Sequence, residues 1–173
     1  MFNPFKKSYS KEELKRFAFL KSIKCFEKLN EEELHVLLPI MNRRVYKKDE
    51  AVFFRKDPSQ AVYIVKSGTV SLNLDREDKF ENLTFVGEKE AFGDNAFIPD
   101  SNRIYNAIVT SEEAELFVLP QGNIQEIFDA NAKLKSKVLE SLVEQYNDYT
   151  LNLFQSYKSS FGFFELQQAY SKK

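Results

Sequence analysis

The hydrophobic period of this chain changes twice, at Arg43 and again after Pro120, and these two changes limit the folds open to it. Between them lie short β-branched or aromatic runs: Val45, then residues 51–54, 61–65, 70–74, 83–86, 107–109 and 116–119. Runs of this length and composition read as strands, and the segments 47–50, 56–59 and 66–68 between them are rich in turn residues. Val70, Leu72 and Leu74 alternate with polar neighbours, which predicts a strand with one wet face. The spacing predicts a small antiparallel roll rather than βαβ units.

Outside this region the period is helical. Ser10 and Asn30 each stand three residues before a glutamate, Glu13 and Glu33, the arrangement of a capping box at a helix start. Leu14, Phe17, Ala18, Leu20 and Ile23 follow the first cap, and Leu34, Leu37 and Leu38 the second, where Pro39 should end or bend the helix. Cys25 and His35 fall within these helices and read as packing residues. After Pro120, residues 123–128 predict a short helix and residues 132–157 a long one. The stripe of the long helix (Leu134, Val138, Leu142, Tyr146, Tyr149, Leu153) is widened by Leu139, Val143, Leu151 and Phe154. It exceeds what one small roll need cover, so a homodimer or a protein partner is expected on the C-terminal helix. Residues 159–164 should break the helix and leave a short aromatic tail with Leu166 and Tyr170. The fold class expected is mainly β with flanking helices (α+β): an antiparallel β-roll or jelly-roll with N-terminal helices and a long C-terminal helix.

Composition removes whole classes of function. With 25 Lys+Arg against 26 Asp+Glu the chain is nearly neutral, so nothing favours nonspecific nucleic-acid or membrane-surface binding. One Cys and one His exclude a disulfide framework, a Cys-cluster zinc site and any two-His metal site. The first residues are not followed by the apolar stretch of a signal peptide, and no run approaches a membrane span; a cytoplasmic protein without membrane contact is expected. Arg43, Arg44, Lys47 and Lys48 are diluted by Asp49 and Glu50 and read as a solvated turn. Glu88, Glu90 and Asp94 come with no nucleophile or metal-ligand spacing, so neither an enzyme nor a metal site is expected.

One short segment carries ligand chemistry. Gly93 precedes residues 94–98, which can form a single helical turn stopped by Pro99. Free amides beside a glycine that permits close approach suit a phosphate. Arg103 is the only Lys or Arg between Lys89 and Lys133, in a stretch with Asp94, Asp100, Glu112, Glu113 and Glu115. A lone guanidinium there can hold one phosphate through two parallel hydrogen bonds, or simply neutralise neighbouring acids.

With these residues in view, segments 26–34, 48–53, 61–70 (Ala61 through Gly68 to Val70), 91–97 and 116–120 occur in the order and near the spacing of one known family. The chain resembles the cyclic-nucleotide-binding domain family over about residues 23–145. The resemblance implies a site for the cyclic phosphate and ribose of cAMP or cGMP formed by Gly93, Asp94, Asn95, Ala96 and Arg103, with Tyr105 beside it. It implies an N-terminal helical extension (1–22), a binding domain that includes the start of the C-helix (23–145), and the end of that helix with the tail (146–173). It further implies a stand-alone sensor needing no cofactor and signalling through its C-terminal helix. DNA binding by this chain alone is not expected, because the tail from Lys158 is too short for a helix-turn-helix reader.

The sequence departs from the family pattern at the site itself. Asp94 is shorter than the usual Glu, Asn95 replaces an aliphatic residue, Lys89 replaces a Gly, and Ala91 replaces a bulky aromatic. Counting back from the next strand puts Ile104 in the Arg register, so only a one-residue loop insertion brings Arg103 to the pocket. Ile104 and Tyr105 replace small residues, and Tyr105 competes for the same space. These departures define the alternative: a degenerate fold acting as a ligand-free dimerisation or protein-interaction module.

Overall fold

The computed structural model describes residues 8–76 and 79–161. Both predicted capping boxes form. Ser10 starts α1 (Lys11–Lys21), where its Oγ accepts from the Glu13 amide and Glu13 accepts from the Ser10 amide. Asn30 does the same with Glu33 at the start of α2 (Glu31–His35). α2 is shorter than the apolar spacing predicts. Pro39 has no amide to donate to the His35 carbonyl, so the α-helix stops and Leu38–Ile40 forms a separate 3₁₀ turn. α1 buries Phe17 and Leu20, whereas Leu14, expected on the same stripe, is exposed. Cys25 is buried among packing residues, and His35 packs against the Tyr9 and Phe17 rings.

Eight strands follow: β1 (Asn42–Lys47), β2 (Ala51–Phe53), β3 (Ala61–Ser67), β4 (Val70–Arg76), β5 (Lys79–Val86), β6 (Ala91–Phe92), β7 (Asn106–Val109) and β8 (Glu113–Pro120). They form two antiparallel four-stranded sheets, ordered β1-β8-β3-β6 and β2-β7-β4-β5. The β3–β4 hairpin passes from one sheet to the other at Gly68, where φ is 88° and an added Cβ would stand 2.4 Å from the Glu113 carbonyl oxygen. Only glycine fits there. β6 has two residues paired with Tyr63 and Ile64, too few for any period to reveal.

β3 explains its unbroken apolar run by serving two cores. Val62 and Ile64 face the helices with Leu20, Phe26, Leu34 and Leu119, while Val65 faces the roll interior with Val70, Phe92 and Leu116. The expected wet face of β4 is corrected: Ser71 and Asn73 are buried. Their polar groups are satisfied sideways, Ser71 Oγ donating to the Ile108 carbonyl and Asn73 Nδ2 to Ser71 Oγ.

After β8 the chain enters α3 (Gln121–Ala130) and α4 (Ala132–Phe161). α4 continues through the Ser159 position at which a break was expected; the aromatic tail beyond it lies outside the described residues. Its first half packs through Leu134, Val138 and Leu142. Ion pairs fasten the same half: Lys137 to Glu33 at 2.6 Å, and Lys28 to Glu140 and Glu144 at 2.8 and 2.6 Å. From Val143 onward its large apolar side chains (Val143, Tyr149, Leu151, Leu153) are exposed.

Burial works against an ionised Glu33, but hydrogen bonds from Lys137 and from the Asn30 amide outweigh it and hold its carboxyl below the usual range. Lys137→Ala is expected to cost about 2 kcal/mol, because it leaves a buried carboxylate without its cation. A depressed carboxyl stabilises the fold above its unfolded value and less as pH falls. Urea denaturation should therefore show the full loss near pH 7, shrinking below about pH 4.

Candidate ligand-binding site

β6 delivers the chain to Gly93, whose φ of 70° turns it into the 3₁₀ turn Asp94–Phe97. A Cβ there would stand 2.6 Å from Arg103 Nη1 and 3.3 Å from the Ala61 carbonyl oxygen. Both the left-handed backbone and the close approach demand glycine. The turn gathers the amides of residues 93–96 on one short segment, and two of the four have protein acceptors. The Gly93 amide donates to the Tyr105 hydroxyl at 2.9 Å and the Ala96 amide to the Gly93 carbonyl at 3.1 Å. The Asp94 and Asn95 amides lie close enough to the Asp94 carboxylate to favour its charged form.

Arg103 lies in the loop before β7. Its backbone is clamped by the 55–57 segment, with its amide donating to the Asp57 carbonyl at 2.8 Å and its carbonyl accepting from Lys56 at 2.9 Å. The side chain is only 4% exposed, while Ile104 is 64% exposed. The register expected from counting is thus corrected: Arg103, not Ile104, enters the roll. Its Nη1 donates to the Gly93 carbonyl at 3.0 Å and its Nη2 to the Ala61 carbonyl at 2.7 Å. Its Cζ sits 4.0 Å from the Phe53 ring centre and 5.5 Å from that of Tyr63. Burial pulls the Arg103 pKa down from the ordinary guanidinium value, and the Tyr63 and Tyr105 phenols act the other way. The cation is held by carbonyl dipoles and aromatic faces.

Around it the roll is packed with rings. Tyr63 stacks on Phe92 at 5.2 Å, and Phe53 lies 5.9 Å from Phe92 and 5.8 Å from Tyr105. Arg103 and Tyr105, framed by the sequence as rivals for one space, both point inward. Burial, and next the charge of Asp94, push the Tyr105 phenol above its ordinary pKa, so it is a neutral acceptor.

Asn95 does not point into the apolar core as the aliphatic residue it replaces would. Its Nδ2 donates to Ser59 Oγ and to the Asn102 carbonyl, each at 2.6 Å, and its own carbonyl accepts from Ser101 Oγ at 2.7 Å. It thereby pins the Arg103 loop to the cradle. Lys89, standing where the family has Gly, adopts a φ of 66°. Burial raises the Asp94 pKa, while hydrogen bonds from its own amide, the Tyr146 hydroxyl and the Asn95 amide oppose the shift. Tyr146 belongs to α4, so the long helix reaches the cradle through this carboxyl. Phe53, Tyr63, Phe92 and Ser59 were not singled out as site residues. Their aromatic or hydroxyl side chains look like ordinary strand and turn residues until the topology brings them together.

The chain therefore combines a two-sheet β-roll, a glycine-led 3₁₀ turn, an inward arginine and a long C-terminal helix. The family model of the cyclic nucleotide-binding domain matches residues 43–131, and the chain belongs to that family. The cyclic AMP receptor protein of Thermus thermophilus is 30% identical over 103 residues, 58% of this chain and 46% of that protein. The chain thus spans about half the length of the curated relative it matches. The crystal structure of Thermus thermophilus catabolite activator protein superposes with a TM-score of 0.62 at 25% identity, covering 76% of this chain and 63% of that one. The regulatory domain of Toxoplasma gondii PKA, crystallised with cAMP, gives 0.63 at 20% identity over 73% and 49%. The sensor domain of the transcriptional regulator DNR from Pseudomonas aeruginosa gives 0.66 at 22% identity over 82% and 95%. Among the described residues no helix is long and apolar enough to cross a membrane.

Removing the guanidinium would strip donors from two buried carbonyls. Arg103→Ala is therefore expected to cost about 3 kcal/mol in urea denaturation without any ligand. A loss below about 0.5 kcal/mol would show that the guanidinium has no structural role. The raised Asp94 pKa has the opposite sign from that of Glu33: the folded state tolerates the neutral acid better than the carboxylate. Asp94→Asn should match the wild type in stability below about pH 4 and become the more stable protein as pH rises through the elevated folded pKa. Thermal melts across that range check the sign.

Proposed function

We propose that this chain is a non-enzymatic regulatory module of the cyclic nucleotide-binding family whose phosphate site is closed by its own side chains, and that it acts by assembly through α4. One observation carries the reading. The Gly93 and Ala96 amides already have protein acceptors, and both Nη groups of Arg103 already serve carbonyls. A cyclic phosphate entering here would have to replace these bonds rather than fill an open cradle, and each buried group it displaced would need a new partner. The packed rings of Phe53, Tyr63, Phe92 and Tyr105 occupy the adjoining interior. The exposed apolar side chains of α4 beyond Val143 supply an assembly surface, with a second copy or a protein partner as its occupant.

The cAMP or cGMP sensor remains the second reading. It is favoured by family membership, by the cAMP in the Toxoplasma relative, and by an arginine in contact with the Gly93 carbonyl. A nucleotide would then have to bind the rearranged pocket much more tightly than the closed one.

Calorimetry with cAMP and cGMP up to millimolar concentration separates the two. The closed-module reading expects no saturable heat and no shift in Tm. Micromolar binding that is abolished in Arg103→Lys while that variant stays folded would instead establish the sensor. Truncation after Leu142 should dissociate the assembly in sedimentation velocity; an unchanged sedimentation coefficient per mass would remove α4 from the interface.

A further inference from the structure

Tyr105 does more than fill space. Its hydroxyl accepts the Gly93 amide at 2.9 Å, on the same residue whose carbonyl receives Arg103 Nη1 at 3.0 Å. The phenol oxygen therefore stands against a backbone N–H directly beside a buried cation. A backbone donor next to a cation suits an acceptor oxygen, while burial and the Asp94 charge keep the phenol that occupies the position neutral. The Arg103 Nε is buried without a partner, so the guanidinium retains at least this unused N–H. Its aim at the cradle is fixed: Nη1 stands 2.6 Å from the position a Gly93 Cβ would take. On the other side the Tyr105 ring packs 5.8 Å from Phe53, the same ring that carries the guanidinium on its face.

We propose that Tyr105 is the specificity-determining residue of this site: its phenol is a resident stand-in for an oxyanion, and it is what keeps phosphate-class anions out of the cradle. The inference rests on the closed-module reading above and adds to it which residue closes the module. Removing the ring vacates its volume and frees the Gly93 amide. The cradle then offers an amide donor and an arginine with a spare N–H to a tetrahedral oxyanion. Tyr105→Phe frees the same amide but leaves the ring in place, so it should lose stability and gain no anion.

The test titrates inorganic phosphate at constant ionic strength, and cAMP separately, into wild type, Tyr105→Ala and Tyr105→Phe. Binding is followed by phosphorus NMR line width and by Tm. Tyr105→Ala should bind phosphate at least about tenfold more tightly than wild type, and adding Arg103→Lys to it should abolish the gain. Tyr105→Phe should match wild type in binding while melting at a lower temperature. If Tyr105→Ala does not fold, Tyr105→Thr opens the same space with a residue suited to extended backbone and carries the same expectation. A folded Tyr105→Ala or Tyr105→Thr with no gain overturns the proposal and leaves the closed-module reading standing. A gain in Tyr105→Phe as large as in Tyr105→Ala also overturns it, because the ring would not be the barrier. Binding of cAMP by wild type overturns the closed-module reading itself.

Discussion

A buried guanidinium that shares its protons between the carbonyls of Gly93 and Ala61 is the interaction on which the rest of the site depends. Ala61 opens β3, the strand that serves both cores, and Gly93 opens the 3₁₀ turn after β6. Arg103 thus joins a sheet strand, the cradle and its own loop at one point. A cation taken out of water must recover its hydration, and carbonyl dipoles with an aromatic face do so without a counter-ion. The left-handed Gly93, the Asn95 tether and the inward aromatic rings all follow from accommodating that one side chain.

The same arrangement reaches the helix that forms the outer surface. The Tyr146 hydroxyl on α4 is among the groups that oppose the burial-driven rise of the Asp94 pKa. Earlier along the same helix, Lys28 pairs with Glu140 and Glu144, and Lys137 pairs with Glu33. The first half of α4 is therefore fixed to the body at two sides, by ion pairs to the N-terminal helical segment and by a carboxyl–phenol contact to the cradle. What projects beyond is a helix with exposed apolar side chains and no share in the core. On the proposed reading, a domain whose arginine is tied to backbone carbonyls and whose long helix is docked through its first half presents one stable surface.

Much of this was legible in the residues. Ser10 with Glu13 and Asn30 with Glu33 announced their helices because capping is a local interaction, settled within four residues. The strand runs were equally clear, since burial on one or both faces leaves its period in the sequence. β6 was not, because two residues have no period. The buried polar face of β4 was not, because Ser71 and Asn73 read as solvent-facing until Ile108 and Asn82 come alongside. At the site, Gly93, Asp94 and Arg103 stood out by spacing and by charge isolation. The register of Arg103 did not, since it depends on a loop held by Asp57, Asn95 and Ser101 through bonds between residues far apart along the chain. The aromatic packing of Phe53, Tyr63 and Phe92 was hidden for the same reason: three strands contribute one ring each.

The central claim is that the Arg103 guanidinium is a structural tie and not a waiting phosphate ligand. Side-chain nitrogen NMR of the arginines reads this directly. The account predicts resolved, slowly exchanging Nη protons for Arg103, with scalar couplings through the hydrogen bonds to the Gly93 and Ala61 carbonyls, unchanged by millimolar cAMP or cGMP. A freely rotating guanidinium with averaged Nη resonances, shifting when either nucleotide is added, would contradict it.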